Sequence, residues 1–353
     1  MEVFSSNAVR LSIREWIVVL AVLAVAALFT GDLWRRIEPF EPGRDYRLPY
    51  ALSEDYWLFD RLCRATPADR TLVLGDSVIW GQYVAPDRTL THFLNRLAGA
   101  ERFVNAGLDG AHPLALGGLI EHHCGGVDRR ALLVHLNLLW LSSPQSDLES
   151  ARTVRLNHPR LLPQFDERPP AYQAPLTERI GIVASRHVPV LNWARHLQMA
   201  SFGGADLARW SVSHPYANPI AAVTLRLPNP ASDRIRRAES SAVRATPRDL
   251  PWVPLERSWQ WRAFTRLVET LRHRGARLTV IIGPLNEHML TTADVETHRR
   301  LAAGAEAWLR AHDVEFYSPA ALPRELYADL SHPLAGGYAL LAERLWTIQS
   351  FRD

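Results

Sequence analysis

The chain of 353 residues contains no lysine, so all 40 of its basic residues are arginines. This bias gives a high isoelectric point of about 9.1, yet the net charge at neutral pH is only +3. A charge so close to balance argues against a nucleic-acid-binding protein. The sequence also lacks a phosphate-binding loop and a dinucleotide-binding glycine fingerprint, which argues against nucleotide-dependent enzymes of those two classes.

Cysteine is scarce as well, since Cys63 and Cys124 are the only two. Their spacing matches no zinc or thioredoxin-type motif. In an oxidising compartment they can pair, but the sequence does not give their distance, so a disulfide stays open. The segment Glu121-His122-His123-Cys124 contains metal-ligating residue types. Adjacent helical residues point in different directions, however, so this segment predicts the end of a surface helix and no metal site.

An uncharged, mostly apolar run extends from Trp16 to Gly31. Together with Leu33 and Trp34 it approaches the roughly 20 residues that a membrane-spanning helix needs. Two interpretations are open: an uncleaved signal-anchor at residues 15–34, or a signal peptide cleaved at Ala24-Val25-Ala26. The anchor is favoured because the cleavage site would lie inside the apolar run. Arginines flank both ends, so export of the remaining chain is inferred from the N-terminal position of the segment.

The rest of the chain alternates between strand and helix patterns. We predict a tail at 1–14, the anchor at 15–34, a connector at 35–70 and an α/β domain at 71–353, with an irregular insertion at about 141–254. Buried strands are predicted at Thr71–Leu74, Arg102–Asn105, Ala131–Leu136, Leu278–Gly283 and Val314–Tyr317. Helices are predicted at Asp55–Arg64, Thr89–Ala98, Pro113–His123, Leu191–Met199, Thr297–Ala311 and Gly337–Gln349, with another that ends at Gly275. This alternation predicts a parallel sheet covered on both faces, with the active site at the carboxyl ends of the strands.

A serine and a histidine–aspartate pair lie at opposite ends of this α/β pattern. Ser77 follows the first predicted strand in a glycine-flanked turn. A serine there can expose its hydroxyl and direct the next backbone N–H groups at an oxyanion. Asp329 and His332 are three positions apart, a spacing that brings their side chains together. Nucleophilic catalysis needs these three groups, although Asp329 can also be read as the N-cap of the last helix.

These segments resemble the SGNH (GDSL-type) hydrolase superfamily. Its first block resembles Gly75-Asp76-Ser77-Val78, with valine where leucine is usual, and its last block resembles Asp329-Leu330-Ser331-His332-Pro333. The second block resembles Asn105-Ala106-Gly107-Leu108-Asp109-Gly110. The third block departs from the family pattern of Gly-x-Asn-Asp, because the segment here reads Leu136-Asn137-Leu138-Leu139-Trp140 and its asparagine comes about two positions early.

The resemblance implies a flavodoxin-like three-layer sandwich and serine-dependent acyl-ester chemistry without a cofactor or metal. It assigns Ser77 as nucleophile, His332 as base and Asp329 as the group that orients the base. The oxyanion would be held by the N–H groups of Ser77 and Gly110, together with Asn137. For Asn137 the alternative is a loop asparagine that holds its own backbone turn.

The missing Asn-Asp pair and the anchor resemble the membrane-tethered branch of the superfamily, which includes the D-alanyl-transfer protein of teichoic acid synthesis and the alginate O-acetylation proteins. Gly283-Pro284-Leu285-Asn286-Glu287 after a strand is also similar to that branch. This implies a single-pass protein of a bacterial-type inner membrane, with an extracytoplasmic (periplasmic) catalytic domain that hydrolyses or transfers acyl esters, chiefly acetyl esters. Its expected partners are an acylated envelope glycan or a small ester and a membrane-bound acyl-transfer protein, without nucleic acid. The alternative from another class is a non-catalytic glycan-binding or scaffold protein on the same fold.

Overall fold

The computed structural model describes residues 11–151, 156–233, 235, 247–348 and 351. By its internal contacts the chain divides into two compact units. The smaller unit contains the described part of Met1–Phe40 together with Val183–Leu227. The larger unit contains the described parts of Glu41–Ile182 and Pro228–Asp353. The predicted connector at 35–70 therefore belongs almost entirely to the larger unit, and the predicted insertion contributes to both.

The larger unit is built on a five-stranded parallel sheet. Its strands are β1 Thr71–Gly75, β2 Phe103–Gly107, β3 Ala131–Leu136, β4 Arg277–Ile282 and β5 Glu315–Tyr317. They lie in the order β2-β1-β3-β4-β5, and every neighbouring pair is parallel. Successive residues of β1 and β3 are buried, as expected when both faces of a sheet are covered. The predicted α/β class with a parallel sheet is confirmed.

The helices are α1 Ile13–Ile37, α2 Tyr56–Ala65, α3 Ser77–Trp80, α4 Leu90–Ala98, α5 Pro113–His123, α6 Leu176–His187, α7 Pro189–Phe202, α8 Leu207–Ser213, α9 Pro219–Ala222, α10 Trp259–His273, α11 Thr292–Ala311 and α12 Ala335–Trp346. The stretch 141–254 is thus more helical than predicted, since α6, α8 and α9 were missed. Prolines in this stretch begin helices: Pro189 opens α7, which was predicted to start later, and Pro219 opens the missed α9. In the first turn the missing N–H of proline has no helical partner to lose.

One face of the sheet is covered by α4 and α12. Their apolar side chains form one buried cluster with side chains of β1, β3 and β4: Val73, Leu133 and Ile281 from the strands, Leu90 and Leu94 from α4, and Leu341, Ala342 and Leu345 from α12. Tyr338 of α12 is fully buried, and its hydroxyl donates to the carbonyl of Val78 at 2.5 Å. The last helix is therefore fixed against the first turn of α3, which brings the loop before α12 close to the end of β1.

A buried arginine supports the other end of α3. The guanidinium of Arg47 lies 3.8 Å from the ring centre of Trp80 and donates to the carbonyls of Trp80 and Gly81 at 2.8 and 2.7 Å. Burial lowers the pKa of Arg47 to about 10. The indole N–H of Trp80 in turn donates to the carbonyl of Leu48 at 2.8 Å. The segment before α2 thus fixes the carboxyl end of α3.

The smaller unit joins α1 to α7. Trp34 meets Trp193 edge to face, with ring centres 5.7 Å apart. His196 Nε2 lies 2.9 Å from Glu38 Oε1, and neither side chain reaches solvent. Within α1 a window of 18 residues has a mean hydropathy of 2.3, and only 6% of it is buried. By length and composition α1 can cross a membrane, and a signal sequence has the same length and apolar character. The helix extends beyond the predicted segment 15–34 at both ends.

The two cysteines lie close together in the larger unit. Both side chains are buried, and their Sγ atoms are 2.8 Å apart. A disulfide needs a separation of about 2.0 Å, so a small shift suffices to close the bond.

We expect oxidised glutathione to oxidise the two thiols to a disulfide and to be reduced to glutathione itself. The mass of the protein should fall by the mass of the hydrogen atoms that the two thiols lose. Cross-linking residues 61 positions apart should raise the free energy of unfolding by about 4 kcal/mol.

The double variant Cys63→Ser, Cys124→Ser is the matched control, because it keeps the size of both side chains and has no thiol to oxidise. Its urea unfolding curve should not respond to oxidised glutathione. Free thiols that still react with maleimide after oxidation and denaturation of the wild-type protein would contradict this prediction.

Candidate active site

Ser77 stands at the point where β1 becomes α3. A Cβ atom on Gly75 would lie 2.5 Å from Cγ1 of Ile79 and 2.8 Å from Cβ of His135, so only glycine allows the strand to turn so tightly into the helix. Asp76 is the N-cap of α3 and accepts from the N–H of Val78 at 3.0 Å. Ser77 is the first residue of the helix, so its own N–H has no partner within α3.

The predicted nucleophile, base and carboxylate form one hydrogen-bonded chain. His332 Nε2 lies 2.8 Å from Ser77 Oγ. On the other side of the ring, Nδ1 lies 2.8 and 2.9 Å from the two carboxylate oxygens of Asp329. If Asp329 accepts the Nδ1 proton, Nε2 is left as the acceptor for the serine hydroxyl. The arrangement has the geometry of a nucleophile whose proton can be removed by a neighbouring base.

Asp329 shapes the loop as well as orienting His332. Its Oδ1 accepts from the backbone N–H groups of Ser331 and His332, both at 2.9 Å. Burial raises the pKa of Asp329, but the bond to His332 and the two N–H groups outweigh burial and lower it to about 2. The alternative reading of Asp329 as the N-cap of the last helix is wrong, because Leu334 occupies that position.

Asn286 supports this loop from the end of β4. It follows Gly283 and Pro284, which are joined by a cis peptide bond. Its Nδ2 donates to the carbonyl of Asp329 at 3.1 Å, and its backbone N–H donates to the carbonyl of Leu330 at 2.8 Å. The sequence drew attention to this segment only through its similarity to a family branch. Its contact with the loop 43 positions later has no local signal in the sequence.

A second carboxylate, Asp76, lies beneath the nucleophile and is only 2% exposed. Its Oδ2 accepts from Asn137 Nδ2 at 2.8 Å and from the indole N–H of Trp140 at 2.9 Å. His135 Nδ1 lies 3.2 Å from Oδ1, close enough for electrostatic attraction but misaligned for a hydrogen bond. Burial raises the pKa of Asp76, whereas His135 and the bond from Asn137 outweigh burial and lower it to about 2.

The predicted oxyanion donors have other visible contacts. Asn137 uses Nδ2 on Asp76 and accepts with Oδ1 from the N–H of Leu139 at 3.0 Å, as expected of an asparagine that holds its own turn. Gly110 lies in the loop after β2 with φ +75°, and a Cβ atom there would lie 2.7 Å from Asn157 Nδ2. The same loop is tied to β1, because the N–H of Leu108 donates to the carbonyl of Gly75 at 3.0 Å.

A buried histidine lies behind Trp140. The ring of His112 meets that indole edge to face at 5.5 Å, and burial lowers the pKa of His112 to about 3. His112 also caps α5, because its Nδ1 accepts from the N–H of Ala115 at 3.3 Å. Among the residues that the structure describes, no group of three or more His, Cys, Asp and Glu side chains is placed to hold a metal ion.

The lowered pKa of Asp76 leads to a prediction about stability. The carboxyl of an unfolded aspartate has a pKa near 3.9, so the folded state favours the ionised form of Asp76. Such a group stabilises the fold above its unfolded pKa, and the stabilisation is lost as the pH falls towards the folded pKa. We expect Asp76→Asn to lower the free energy of unfolding by about 2 kcal/mol at neutral pH, with the deficit shrinking between about pH 4 and pH 2.

Urea unfolding of the full chain in detergent micelles, followed by tryptophan fluorescence at several pH values, measures this difference. Asp128→Asn is the control, because that side chain is 62% exposed. Its unfolding should differ little from that of the wild-type protein at any pH. A deficit of Asp76→Asn that does not change with pH would contradict the prediction.

Comparison with protein-family models gives no match for this chain, and comparison with curated proteins gives none either.

Proposed function

We propose that the protein is a membrane-anchored serine acyl-ester hydrolase or O-acyltransferase of the SGNH type. The observation that carries this proposal is the unbroken chain of hydrogen bonds from Ser77 through His332 to Asp329 at the carboxyl end of β1. The strand order β2-β1-β3-β4-β5 supports the fold assignment, since it is the order of flavodoxin-like sheets.

Acyl transfer begins with attack by Ser77 Oγ on the ester carbonyl. His332 Nε2 accepts the hydroxyl proton, and Asp329 stabilises the imidazolium that forms. The N–H groups of Ser77 and Gly110 are the proposed donors to the oxyanion, with Asn137 as a third. His332 then returns the proton to the leaving alcohol, which departs and leaves an acyl-enzyme on Ser77.

Hydrolysis and transfer differ only in what resolves the acyl-enzyme. Water gives hydrolysis, whereas a sugar hydroxyl gives O-acyl transfer, and His332 removes a proton from either one. The apolar helix α1 supports a location on a membrane. The proposed membrane is a bacterial-type inner membrane, with the catalytic unit on its extracytoplasmic (periplasmic) side. The proposed substrate is an acylated envelope glycan or a small ester, with a membrane-bound acyl-transfer protein as donor in the transferase case.

One observation favours a second candidate, a non-catalytic glycan-binding or scaffold protein. Both polar atoms of the Asn137 side chain make hydrogen bonds, Nδ2 with Asp76 and Oδ1 with Leu139. Asn137 is therefore a poorer oxyanion donor than an asparagine whose amide faces the substrate. This candidate keeps the fold and the membrane helix but predicts that Ser77 does not react.

Ser77→Ala tests the proposal directly. We expect the wild-type full chain in detergent to react with a fluorophosphonate probe and to release p-nitrophenol from p-nitrophenyl acetate. Because the variant has no nucleophile, labelling should vanish and turnover should fall by about 1,000-fold or more. Ser213→Ala, an exposed serine on α8, is the control and should behave as the wild-type protein does. A folded wild-type protein that neither labels nor turns over would favour the non-catalytic candidate.

Asn286→Ala tests whether the loop of Asp329 and His332 depends on its support from β4. Removal of the Nδ2 donor frees the carbonyl of Asp329, so the base should be held less firmly against Ser77. We expect kcat for p-nitrophenyl acetate to fall by about tenfold, or about 1.4 kcal/mol of barrier, with little change in KM. Near-ultraviolet circular dichroism checks the packing of the variant. An unchanged kcat in a folded variant would show that the loop does not need this contact.

A further inference from the structure

The helices α8 and α9 expose an unusual amount of apolar surface in the smaller unit. They have only 7 and 4 residues, and neither contains a buried residue. Side chains on these helices and on the turn between them are largely exposed: Leu207 by 54%, Val212 by 81%, Tyr216 by 101% and Ile220 by 81%. Isolated helices this short are marginal in water, and clustered apolar exposure marks a surface that something covers.

This surface is fixed to the end of α1. The contacts Trp34–Trp193 and Glu38–His196 hold α7 against the last turn of α1. The segment that follows α7 is tied back to its end, because the rings of Phe202 and Trp210 lie 5.2 Å apart. The N–H of Thr224 also donates to the hydroxyl of Ser201 at 3.2 Å, again near the end of α7. Residues from α7 to Thr224 therefore belong, through α7, to the same compact unit as the end of α1.

From the first residue of α8 onward the charged side chains are of one sign, and the exposed Asp206 stands directly before them as the N-cap of α8. Residues 207–227 contain no aspartate or glutamate, whereas Arg209 and Arg226 are present and both are exposed. Arginines beside apolar and aromatic side chains are typical of segments that lie in the headgroup region of an anionic membrane. A protein partner would require no such bias, and the end of a membrane span lies within the same compact unit.

We propose that residues 207–225, here called the surface segment, dock onto the bilayer that α1 crosses. Val212 and Ile220 enter the boundary between headgroups and acyl chains, Tyr216 lies at headgroup level, and Arg209 meets lipid phosphates. The proposal rests on the proposed role of α1 as a membrane anchor. It adds a second contact with lipid, which holds the smaller unit flat on the membrane as a single helix could not.

Fluorescence quenching in liposomes of mixed neutral and anionic phospholipid tests this docking on the full chain. Val212→Cys and Ile220→Cys each carry an environment-sensitive label, and the quenchers are lipids brominated at shallow or deep acyl positions and aqueous iodide. Val22→Cys, exposed in the middle of α1, is the positive control for insertion. Ala303→Cys, exposed on α11 of the larger unit, is the control for a water-facing site. The natural cysteines are buried, and the unsubstituted protein measures their background.

We expect labels at positions 212 and 220 to be quenched several-fold more by shallow bromolipid than the label at Ala303→Cys, and to be protected from iodide. Only the label at Val22→Cys should respond to deep bromolipid. If that label responds but those at 212 and 220 do not, the docking is overturned while the anchor stands. Protection from iodide without lipid quenching would mean that a protein or a second copy covers the segment, which also overturns the proposal. If the label at Val22→Cys does not respond, the anchor itself fails.

Discussion

The hydrogen bond between His332 and Ser77 joins residues 255 positions apart and constrains much of the larger unit. The bond sets two conditions. The strand β1 must end at the same edge of the sheet as the other strands, and the loop before α12 must be held at that edge. Parallel strand order satisfies the first condition, because it brings the carboxyl ends of all five strands together. The second is met by the packing of α12 on α4 and the sheet and by the bond from Tyr338 to the first turn of α3. The packing of this core therefore holds His332 Nε2 at 2.8 Å from Ser77 Oγ.

Two ionised carboxylates accompany this bond, and their roles differ. Asp329 contacts the imidazole and favours the positive charge that it gains on accepting a proton. Asp76 is also attracted to a positive His332, but it is buried directly before Ser77, where a negative charge opposes a developing oxyanion. The hydrogen-bond donors Asn137 and Trp140, together with the nearby ring of His135, offset that charge. On this argument Asn137 contributes to the site by stabilising the charge of Asp76.

Much of the sheet could be predicted because its signal is local. The segments Pro113–His123 and Ala131–Leu136 have the same bounds in the sequence prediction and in the structure, since each is an apolar run between clear breaks. Ser77, Asp329 and His332 were chosen as candidates from the place of Ser77 after a predicted strand, from the spacing of Asp329 and His332, and from a family resemblance. The support from Asn286 and the pair of Glu38 with His196 could not be predicted, because these contacts join residues 43 and 158 positions apart. Secondary-structure propensity and hydrophobic periodicity depend on residues close together in the sequence, so they do not predict contacts between residues this far apart.

The division into two units also bears on where the chain can be cut. Ser77, His332 and Asp329 lie in the larger unit, whereas α7 takes its partners from α1. A fragment that starts after residue 34 loses the indole of Trp34, and Trp193 loses its edge-to-face contact with that ring. It also loses the helix that presents Glu38 to His196, a side chain with no exposed surface. The smaller unit would therefore loosen in such a fragment even if the sheet remained intact. The apolar helix α1 is therefore a packing element of the smaller unit as well as a helix long enough to cross a membrane, and the smaller unit keeps this packing only in the full chain.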